Sequence, residues 1–128
     1  MKLISFVFFL LIGVIVIAQE KDCESFRKGK YFYTPPNGGE VFFRRTKKRQ
    51  IEKYNDEHQR FIFEIVWTAD CEYTLTLIRA KGVDKKIRKE IIGTQLTCIV
   101  LDAELGHYEI SIVSNNSTSI ETFTIYQK

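Results

Sequence analysis

Residues 60–68 read Arg-Phe-Ile-Phe-Glu-Ile-Val-Trp-Thr, and this stretch decides the class of fold. Every second residue is large and apolar, which places four side chains on one face of an extended strand: Phe61, Phe63, Ile65 and Trp67. The other face carries Glu64 between Ile62 and Val66, so water reaches it only in part. The pattern predicts a β-strand that lies with one face against an apolar core.

Similar alternation recurs along the chain between runs of turn residues such as Gly82-Val83-Asp84. It predicts strands over residues 31–34, 60–68, 71–80, 86–92, 95–101, 107–113 and 119–126, and a long extended arm over 40–54. Residues 20–28 allow one short helical turn. About eight strands joined by short turns predict an all-β fold, an antiparallel meander that closes into a small barrel or a strongly curved sheet. A β-sandwich is the alternative.

Residues 1–18 have the pattern of a secretory signal peptide. One positive charge, on Lys2, precedes an apolar run from Leu3 to Ala18 whose only polar residue is Ser5. The run is shorter than the roughly 20 apolar residues of a membrane-spanning helix, so cleavage after Ala18 is the preferred interpretation. The sequence therefore predicts a signal-peptide helix over 1–18, a single β domain over 19–128, and export to the periplasm or the extracellular space. An uncleaved N-terminal membrane anchor is the alternative.

Composition and motif content exclude several classes of function. The chain has 128 residues, which accommodate one domain, and a formal net charge of +3, which is too small to argue for nucleic acid as a partner. It contains no glycine-rich phosphate-binding loop and no Cys/His spacing of the zinc-binding type. We therefore expect no cofactor, no metal and no nucleic acid, and contact with a membrane only through the transient signal peptide.

The three cysteines, Cys23, Cys71 and Cys98, would meet an oxidising compartment after export. They allow one disulfide in three pairings, and the sequence alone does not choose among them. A Cys23–Cys71 bridge is favoured because it would tie the mature N-terminus to the sheet, where closing such a loop contributes roughly 3–4 kcal/mol. The alternative is that all three cysteines are reduced.

Three motifs follow one another in the first part of the mature chain: Cys23-x-x-Phe26-x-x-Gly29-Lys30-Tyr31-x-Tyr33, Arg45-x-x-x-x-Gln50-x-Glu52 and Trp67-x-x-Asp70-Cys71-x-Tyr73-x-Leu75. Together they resemble a family of short exported proteins from Bacteroidetes, chiefly flavobacteria. The resemblance implies a small exported β protein with recurrent cysteines at Cys23 and Cys71, and it implies no catalytic residues. Cys98 lies outside the pattern, which makes it the expected free thiol.

Members of that family often carry the automatic label "DNA topoisomerase IV". A type II topoisomerase needs ATP sites, paired tyrosines and large moving gates, which a chain of this length does not supply, so we regard the label as a mis-annotation. Gly29-Lys30-Tyr31 also resembles the start of lipocalins, where a glycine precedes an aromatic residue in the first strand. This second resemblance implies a carrier of a small molecule or lipid as an alternative function.

Two basic segments are candidates for an anion-binding rim. They contain Arg44, Arg45, Lys47, Lys48 and Arg49 in the first, and Lys85, Lys86 and Arg88 in the second. In an extended chain the first segment carries charge on both faces, so we expect it to protrude or to lie at an edge, away from the core. If the two segments meet, they would bind phosphates, anionic glycans or lipid headgroups. The alternative is an edge strand that positive charge protects from aggregation.

The middle motif, Arg45, Gln50 and Glu52, has two interpretations. It is either a polar site at one mouth of a barrel, or a structural set in which Glu52 pairs with a cation and Gln50 satisfies backbone groups. We prefer the structural interpretation. The aromatic residues at strand spacing likewise either fill the core or line a cavity for an apolar ligand.

No catalytic arrangement is evident around the two histidines, His58 and His107. A Cys98–His107 pair on neighbouring strands is the remaining enzymatic hypothesis. The sequence therefore predicts an exported, non-enzymatic β protein that acts as a binding or envelope-interaction module. Its expected partner is an envelope protein or a small apolar or anionic ligand.

Overall fold

A computed structural model describes residues 22–36, 38–54 and 58–128 of the chain. The predicted signal peptide over 1–18 lies outside the described residues. Within the described part, no helix is long and apolar enough to cross a membrane.

The described chain begins with a 3₁₀ helix, Glu24–Phe26, in the region where one short helical turn was predicted. Eight β-strands and one short α-helix follow: β1 (Gly29–Tyr33), β2 (Val41–Arg45), β3 (Arg49–Tyr54), β4 (Gln59–Ala69), β5 (Glu72–Lys81), α1 (Lys85–Ile91), β6 (Gln95–Glu104), β7 (His107–Ser114) and β8 (Ile120–Gln127). The fold is therefore all-β, as the alternation of apolar residues predicts.

The strands form a closed barrel in which each strand pairs with its neighbours in the sequence. All pairs are antiparallel, and the barrel closes where β1 pairs with β8, with Phe32 opposite Tyr126. This arrangement confirms the antiparallel meander and the barrel, and the sandwich alternative is wrong. Closure removes the free strand edges that would otherwise expose unpaired backbone groups.

The structure differs from the prediction in two places. Residues 40–54 form two strands because the chain reverses at 46–48, where Thr46 N donates to Arg49 O over 3.0 Å. Residues 86–92 do not form a strand, since most of them belong to α1, in which Ile87 and Ile91 stand at the four-residue spacing of a helix face. The predicted number of about eight strands agrees because the extended arm is two strands, while the strand predicted over 86–92 is absent.

The core follows the inward face of the strands. Its buried side chains are Phe26, Tyr31, Phe43, Phe63, Ile65, Tyr73, Leu75, Leu77, Cys98, Val100, Tyr108, Ile110 and Ile125, with Cys23 at the N-terminal end. Phe61 and Trp67 of the stretch that decides the fold are half-buried and pack against this core. Trp67 therefore lies at the margin of the core, while Phe63 and Ile65 lie within it.

The two ends of the barrel differ. Because neighbouring strands are antiparallel, successive connections alternate between the ends. One end, called here the closed end, holds the 3₁₀ helix and the turns at 46–48 and 70–71. The Cys23–Cys71 disulfide ties the residue before the 3₁₀ helix to the second of these turns. The opposite end, called here the mouth, holds the connections 82–94 and 115–119.

Candidate functional site

The interior of the barrel contains a cavity of about 210 Å³. Most of its wall is apolar or aromatic, formed by Phe43, Phe63, Tyr73, Leu75, Leu96, Ile110, Ile112, Phe123 and Ile125. Its polar residues lie chiefly on β1–β3, namely Tyr33, Arg45, Gln50, Glu52 and Tyr54, with Glu121 contributed by β8. A concave apolar space with a few converging polar groups is the usual form of a small-molecule site.

Hydrogen bonds connect the polar residues in a row along the inner wall. Arg45 of β2 lies opposite Gln50 of β3, and Arg45 Nε donates to Gln50 Oε1 over 2.7 Å. Gln50 Nε2 then donates to Glu52 Oε1 over 2.9 Å. Residues two apart on a strand project from the same face, which is why Gln50 and Glu52 both point into the barrel. All three residues are buried.

The row continues toward the mouth through two tyrosines. The Tyr54 hydroxyl donates a short hydrogen bond to Glu52 Oε2, and the Tyr33 and Tyr54 hydroxyl oxygens lie 3.3 Å apart. Burial raises the pKa of the Glu52 carboxyl, although the hydrogen bonds from Tyr54 and Gln50 oppose that rise. Burial also raises the pKa values of Tyr33 and Tyr54, with the Glu52 charge adding to the rise, so both hydroxyls remain protonated and can donate.

The sequence-based interpretation of this motif is partly wrong. Gln50 does not satisfy backbone groups, because its side-chain amide bridges two other side chains. Glu52 forms no direct ion pair with a described cation, since Gln50 stands between it and Arg45. The motif lies inside the barrel and its far end reaches the cavity, so it is both a structural set and one wall of the candidate site.

Arg45 is enclosed by aromatic rings at the closed end of the barrel. Its Cζ lies 4.0 Å from the ring centroid of Phe26 and 4.4 Å from that of Tyr73, and its Nη1 donates to Phe26 O over 2.9 Å. Only 3% of the residue is exposed. The expectation that charge keeps the whole basic segment away from the core is therefore wrong at Arg45, which also cannot belong to an exposed anion-binding rim.

The 3₁₀ helix closes this end by inserting Phe26 beneath Arg45. The Phe26 ring stacks on Tyr108 with centroids 4.1 Å apart and meets Tyr31 edge-on at 5.0 Å. The Tyr31 hydroxyl donates to Ser25 O over 2.9 Å, and burial raises the pKa of Tyr31 to about 12. Gly29 has φ +121°, and a Cβ there would lie 3.3 Å from the Tyr31 hydroxyl, so glycine suits this close approach.

The third motif surrounds the same closed end. Tyr73 is fully buried, and its ring lies 4.7 Å from that of Trp67. The outer side of Trp67 carries Arg27, with Cζ 4.6 Å from the ring centroid. Asp70 is exposed in the β4–β5 turn, next to Cys71 of the disulfide. These motif residues hold the 3₁₀ helix against the barrel.

The cysteines are arranged as the sequence and the family resemblance predict. Cys23 and Cys71 form a disulfide across 48 residues, and Cys98 is free and buried. Burial raises the pKa of the Cys98 thiol to about 12, so it remains a thiol at neutral pH. His107 lies opposite Glu104, six residues from Cys98 on β6 and therefore roughly 20 Å away along the strand. The structure does not bring Cys98 and His107 together.

The remaining basic residues of the predicted rim lie at opposite ends of the barrel. Arg44, Lys47, Lys48 and Arg49 are exposed at or beside the β2–β3 turn at the closed end, where Arg49 pairs with Glu64 at 3.6 Å. Lys85, Lys86 and Arg88 are exposed on α1 at the mouth. The two segments do not meet, because their connections belong to alternate ends of an antiparallel meander.

Sequence reasoning missed four residues that line the cavity, Phe43, Tyr54, Leu96 and Glu121. Tyr54 follows Gln50 and Glu52 at strand spacing, so extending the motif by two residues would have found it. Nothing in the sequence indicates that Glu121 lines the cavity, since a carboxylate in a strand usually faces water. Among the described residues, no cluster of three or more His, Cys, Asp or Glu side chains is arranged to hold a metal ion.

Comparison of the chain with known protein families, with curated proteins and with solved structures finds no match. The fold and the geometry of the site therefore carry the functional argument.

Proposed function

We propose that this protein is an exported binding protein that holds a small, uncharged, mostly apolar ligand inside its barrel. The observation that carries the proposal is the cavity of about 210 Å³, with an apolar wall and a row of buried polar groups on one side. A barrel filled by its own side chains would leave no such cavity.

The volume of the cavity indicates the size of the ligand. An apolar protein cavity of about 150 Å³ holds benzene, so a cavity of about 210 Å³ accommodates a single ring or a short alkyl chain with one polar group. This volume lies below the roughly 300–1,000 Å³ of sites for drug-sized molecules. A long-chain lipid or a haem is therefore excluded as a fully enclosed ligand.

The polar side of the cavity indicates the chemistry of the ligand. Glu52 and Glu121 both line the cavity, so a ligand carboxylate would meet two carboxyl groups. An anionic ligand would be left unpaired there, and both Glu52 oxygens already accept hydrogen bonds within the protein and so are not free to pair with a cation, which favours an uncharged ligand. The Tyr33 hydroxyl at the mouth side of the row can donate to or accept from a ligand hydroxyl. Simple phenols, indole and medium-chain alcohols fit this description.

Two observations support export and a role without catalysis. The signal-peptide pattern of residues 1–18 and a disulfide, which persists in oxidising compartments, both fit a periplasmic or extracellular protein. Both carboxyl oxygens of Glu52 accept hydrogen bonds, and Cys98 is a buried thiol with a raised pKa, so neither is poised to act as base or nucleophile. An interaction with an envelope protein is the alternative function.

Filling the cavity tests the proposal. Leu96 lines the cavity, whereas its neighbour Thr97 is exposed on the outer face of β6. Leu96→Trp should occupy the space near the mouth, and Thr97→Trp adds the same side chain outside the barrel. We would measure the melting temperature of each protein with phenol, indole, hexanol and hexanoate, because a ligand that binds only the folded state raises it.

We expect at least one uncharged probe to stabilise the wild type and Thr97→Trp but not Leu96→Trp, with hexanoate weaker than hexanol. Native mass spectrometry of the protein purified from its own cells should show an added mass that is lost on denaturation. A bare mass together with no stabilisation by any probe would contradict the proposal and favour the envelope-interaction alternative.

A further inference from the structure

A second concave feature lies outside the barrel, on the outer face of β1–β4. It is a groove of about 740 Å³, and its lining shares Phe43 and Tyr54 with that of the interior cavity. Its outward-facing apolar residues are Phe42 and Ile51, both half-buried. Five cations line it, namely Lys30, Arg44, Lys53, Arg60 and Lys128, against a single acidic residue, Glu40, among the described lining residues.

The strand register explains why these cations converge. Residues directly opposite one another on neighbouring strands share a face, and two such rows cross the outer surface. The first row is Lys30, Arg44, Ile51, Ile62 and Arg79, and the second is Phe32, Phe42, Lys53, Arg60 and Lys81. Each row crosses five strands, which is about 19 Å at the usual strand spacing.

The cations of the groove are not neutralised by described carboxylates. None of the five forms an ion pair with an acidic side chain in the described part of the chain, where the ion pairs involve Arg27, Arg49 and His107. Lys128 Nζ lies 4.7 Å from the ring centroid of Phe42, which keeps the ammonium group beside the groove floor. The positive charge is therefore available to a partner.

The basic surface continues past the groove toward the mouth. A second, shallower depression of about 640 Å³ adjoins it and is lined by Arg79 and Lys81 of β5 and by Arg88 and Lys89 of α1. The two rows of outward-facing residues described above cross the groove and end at Arg79 and Lys81, which line the second depression. The positive charge thus follows an extended path across the surface and does not converge on one point.

We propose that this outer groove binds a chain of an acidic polysaccharide. An elongated path with spaced cations matches a polymer with repeated negative charges, whereas a single phosphate or carboxylate would engage two or three of them. The apolar floor between the cations matches the carbon faces of sugar rings. The cations of the groove are distinct from the polar residues of the interior cavity, because their side chains leave the opposite face of the same strands.

Two other polyanionic partners fit the groove less well. Insertion into a bilayer needs apolar side chains that protrude, whereas Phe42 and Ile51 of the groove are half-buried. Nucleic acid is disfavoured because the Cys23–Cys71 disulfide belongs to proteins of oxidising compartments outside the cytosol. An acidic polysaccharide is the polyanion expected in those compartments.

Charge reversal in the groove tests the proposal against a matched control. Arg44→Glu with Lys53→Glu reverses two groove cations, and Lys47→Glu with Lys48→Glu makes the same change in net charge in the β2–β3 turn, outside the groove. Binding of the full mature chain to labelled alginate and heparin oligosaccharides would be measured at physiological ionic strength. Neutral dextran, phosphatidylglycerol vesicles and single-stranded oligothymidine serve as comparison ligands.

We expect the wild type to bind an acidic oligosaccharide but not dextran, with affinity falling as salt rises. The groove variant should bind at least tenfold more weakly, and the turn variant within about threefold of wild type. If the groove variant does not fold, Lys30→Glu with Lys128→Glu replaces it. Equal loss in the groove and turn variants, no binding to either acidic oligosaccharide, or tighter binding to vesicles or oligothymidine would overturn the proposal. Leu96→Trp, which fills the interior cavity, should leave this binding unchanged.

Discussion

The guanidinium Cζ of Arg45 lies 4.0 Å from the ring centroid of Phe26, and Arg45 Nη1 donates to the backbone oxygen of the same residue. This double contact joins strand β2 to the 3₁₀ helix that closes the barrel. Arg45 also begins the row of hydrogen bonds that reaches the cavity through Gln50. One buried cation therefore links the closure of the barrel end to the wall of the candidate site.

Replacing Arg45 should destabilise the fold far more than replacing its neighbour. Arg45→Ala leaves Phe26 O and Gln50 Oε1 without their donor, at about 1–3 kcal/mol for each buried acceptor left unsatisfied, and removes the cation from its aromatic surroundings. Arg44→Ala, on the exposed face of the same strand, should change the free energy of unfolding by no more than about 0.5 kcal/mol. Urea denaturation of both variants measures the difference, and similar values for the two would contradict the structural role of Arg45.

Removing the disulfide should lower stability through the unfolded state. Cys23 and Cys71 are 48 residues apart, and opening a loop of that size costs about 4 kcal/mol in the chain-entropy model. The bridge also anchors the 3₁₀ helix, so a variant with Cys23→Ser and Cys71→Ser should lose the closed end first. Thermal unfolding with and without dithiothreitol provides the measurement. Reductant should lower the melting temperature of the wild type and leave that of the double variant unchanged. A shift of equal size in both proteins would assign the effect to something other than this bridge.

The sequence predicts the barrel well because alternation records which face of each strand is buried. The pattern from Phe61 to Trp67 is visible without any tertiary information, and the register of β4 agrees with it at Phe63 and Ile65. Residues 85–91 make about two helical turns, and the single pair Ile87 and Ile91 is too little to establish a helical period, so their helix depends on the geometry of the β5–β6 connection. The same limit applies to the hairpin at 46–48, which contains no glycine or proline to mark the turn.

The candidate sites were less predictable than the fold. The position of Arg45 inside the barrel depends on Phe26, which is distant in sequence and supplies both a ring and a carbonyl oxygen. The outer groove assembles single cations from separate strands, such as Lys30 and Arg60, so no run of basic residues marks it. The conspicuous basic runs are instead divided between the two ends of the barrel, because strand direction and not local charge decides where a connection lies.

The buried carboxyl of Glu52 should make stability depend on pH. Burial raises its pKa in the folded state above the ordinary value of about 4.3, so between those two values the folded state holds a proton that the unfolded state has lost. The protonated Glu52 carboxyl therefore contributes its full stabilisation to the free energy of unfolding below about pH 4. This contribution decreases as pH rises from the ordinary pKa to the raised folded-state pKa, by at most about 1.4 kcal/mol per pH unit. Above the folded-state pKa of Glu52, the free energy of unfolding no longer decreases because of this group.

Glu52→Gln removes this titration while keeping a similar shape. The difference in free energy of unfolding between wild type and Glu52→Gln should become less favourable to the wild type as pH rises from 4 toward neutrality. Glu64→Gln, at an exposed position on the outer face of β4, should retain the wild-type dependence attributed to Glu52. Chemical denaturation at several pH values in this range measures the free energy of unfolding of each protein. A pH-independent difference between wild type and Glu52→Gln would show that the Glu52 carboxyl does not titrate in this range.

Gly82, just beyond the end of β5 at the mouth, should tolerate no side chain. It has φ +76°, and a Cβ built there would lie 1.9 Å from the backbone oxygen of His58. Gly106 in the β6–β7 turn also has a positive φ, +85°, but open space surrounds its Cβ position. Both alanine variants incur about 1–2 kcal/mol for the left-handed backbone conformation. Only Gly82→Ala must also displace the backbone of His58, which adds roughly 1–3 kcal/mol. Parallel thermal and urea unfolding should therefore rank Gly82→Ala clearly below Gly106→Ala, and equal stabilities would mean that the close approach between Gly82 and His58 does not constrain the mouth.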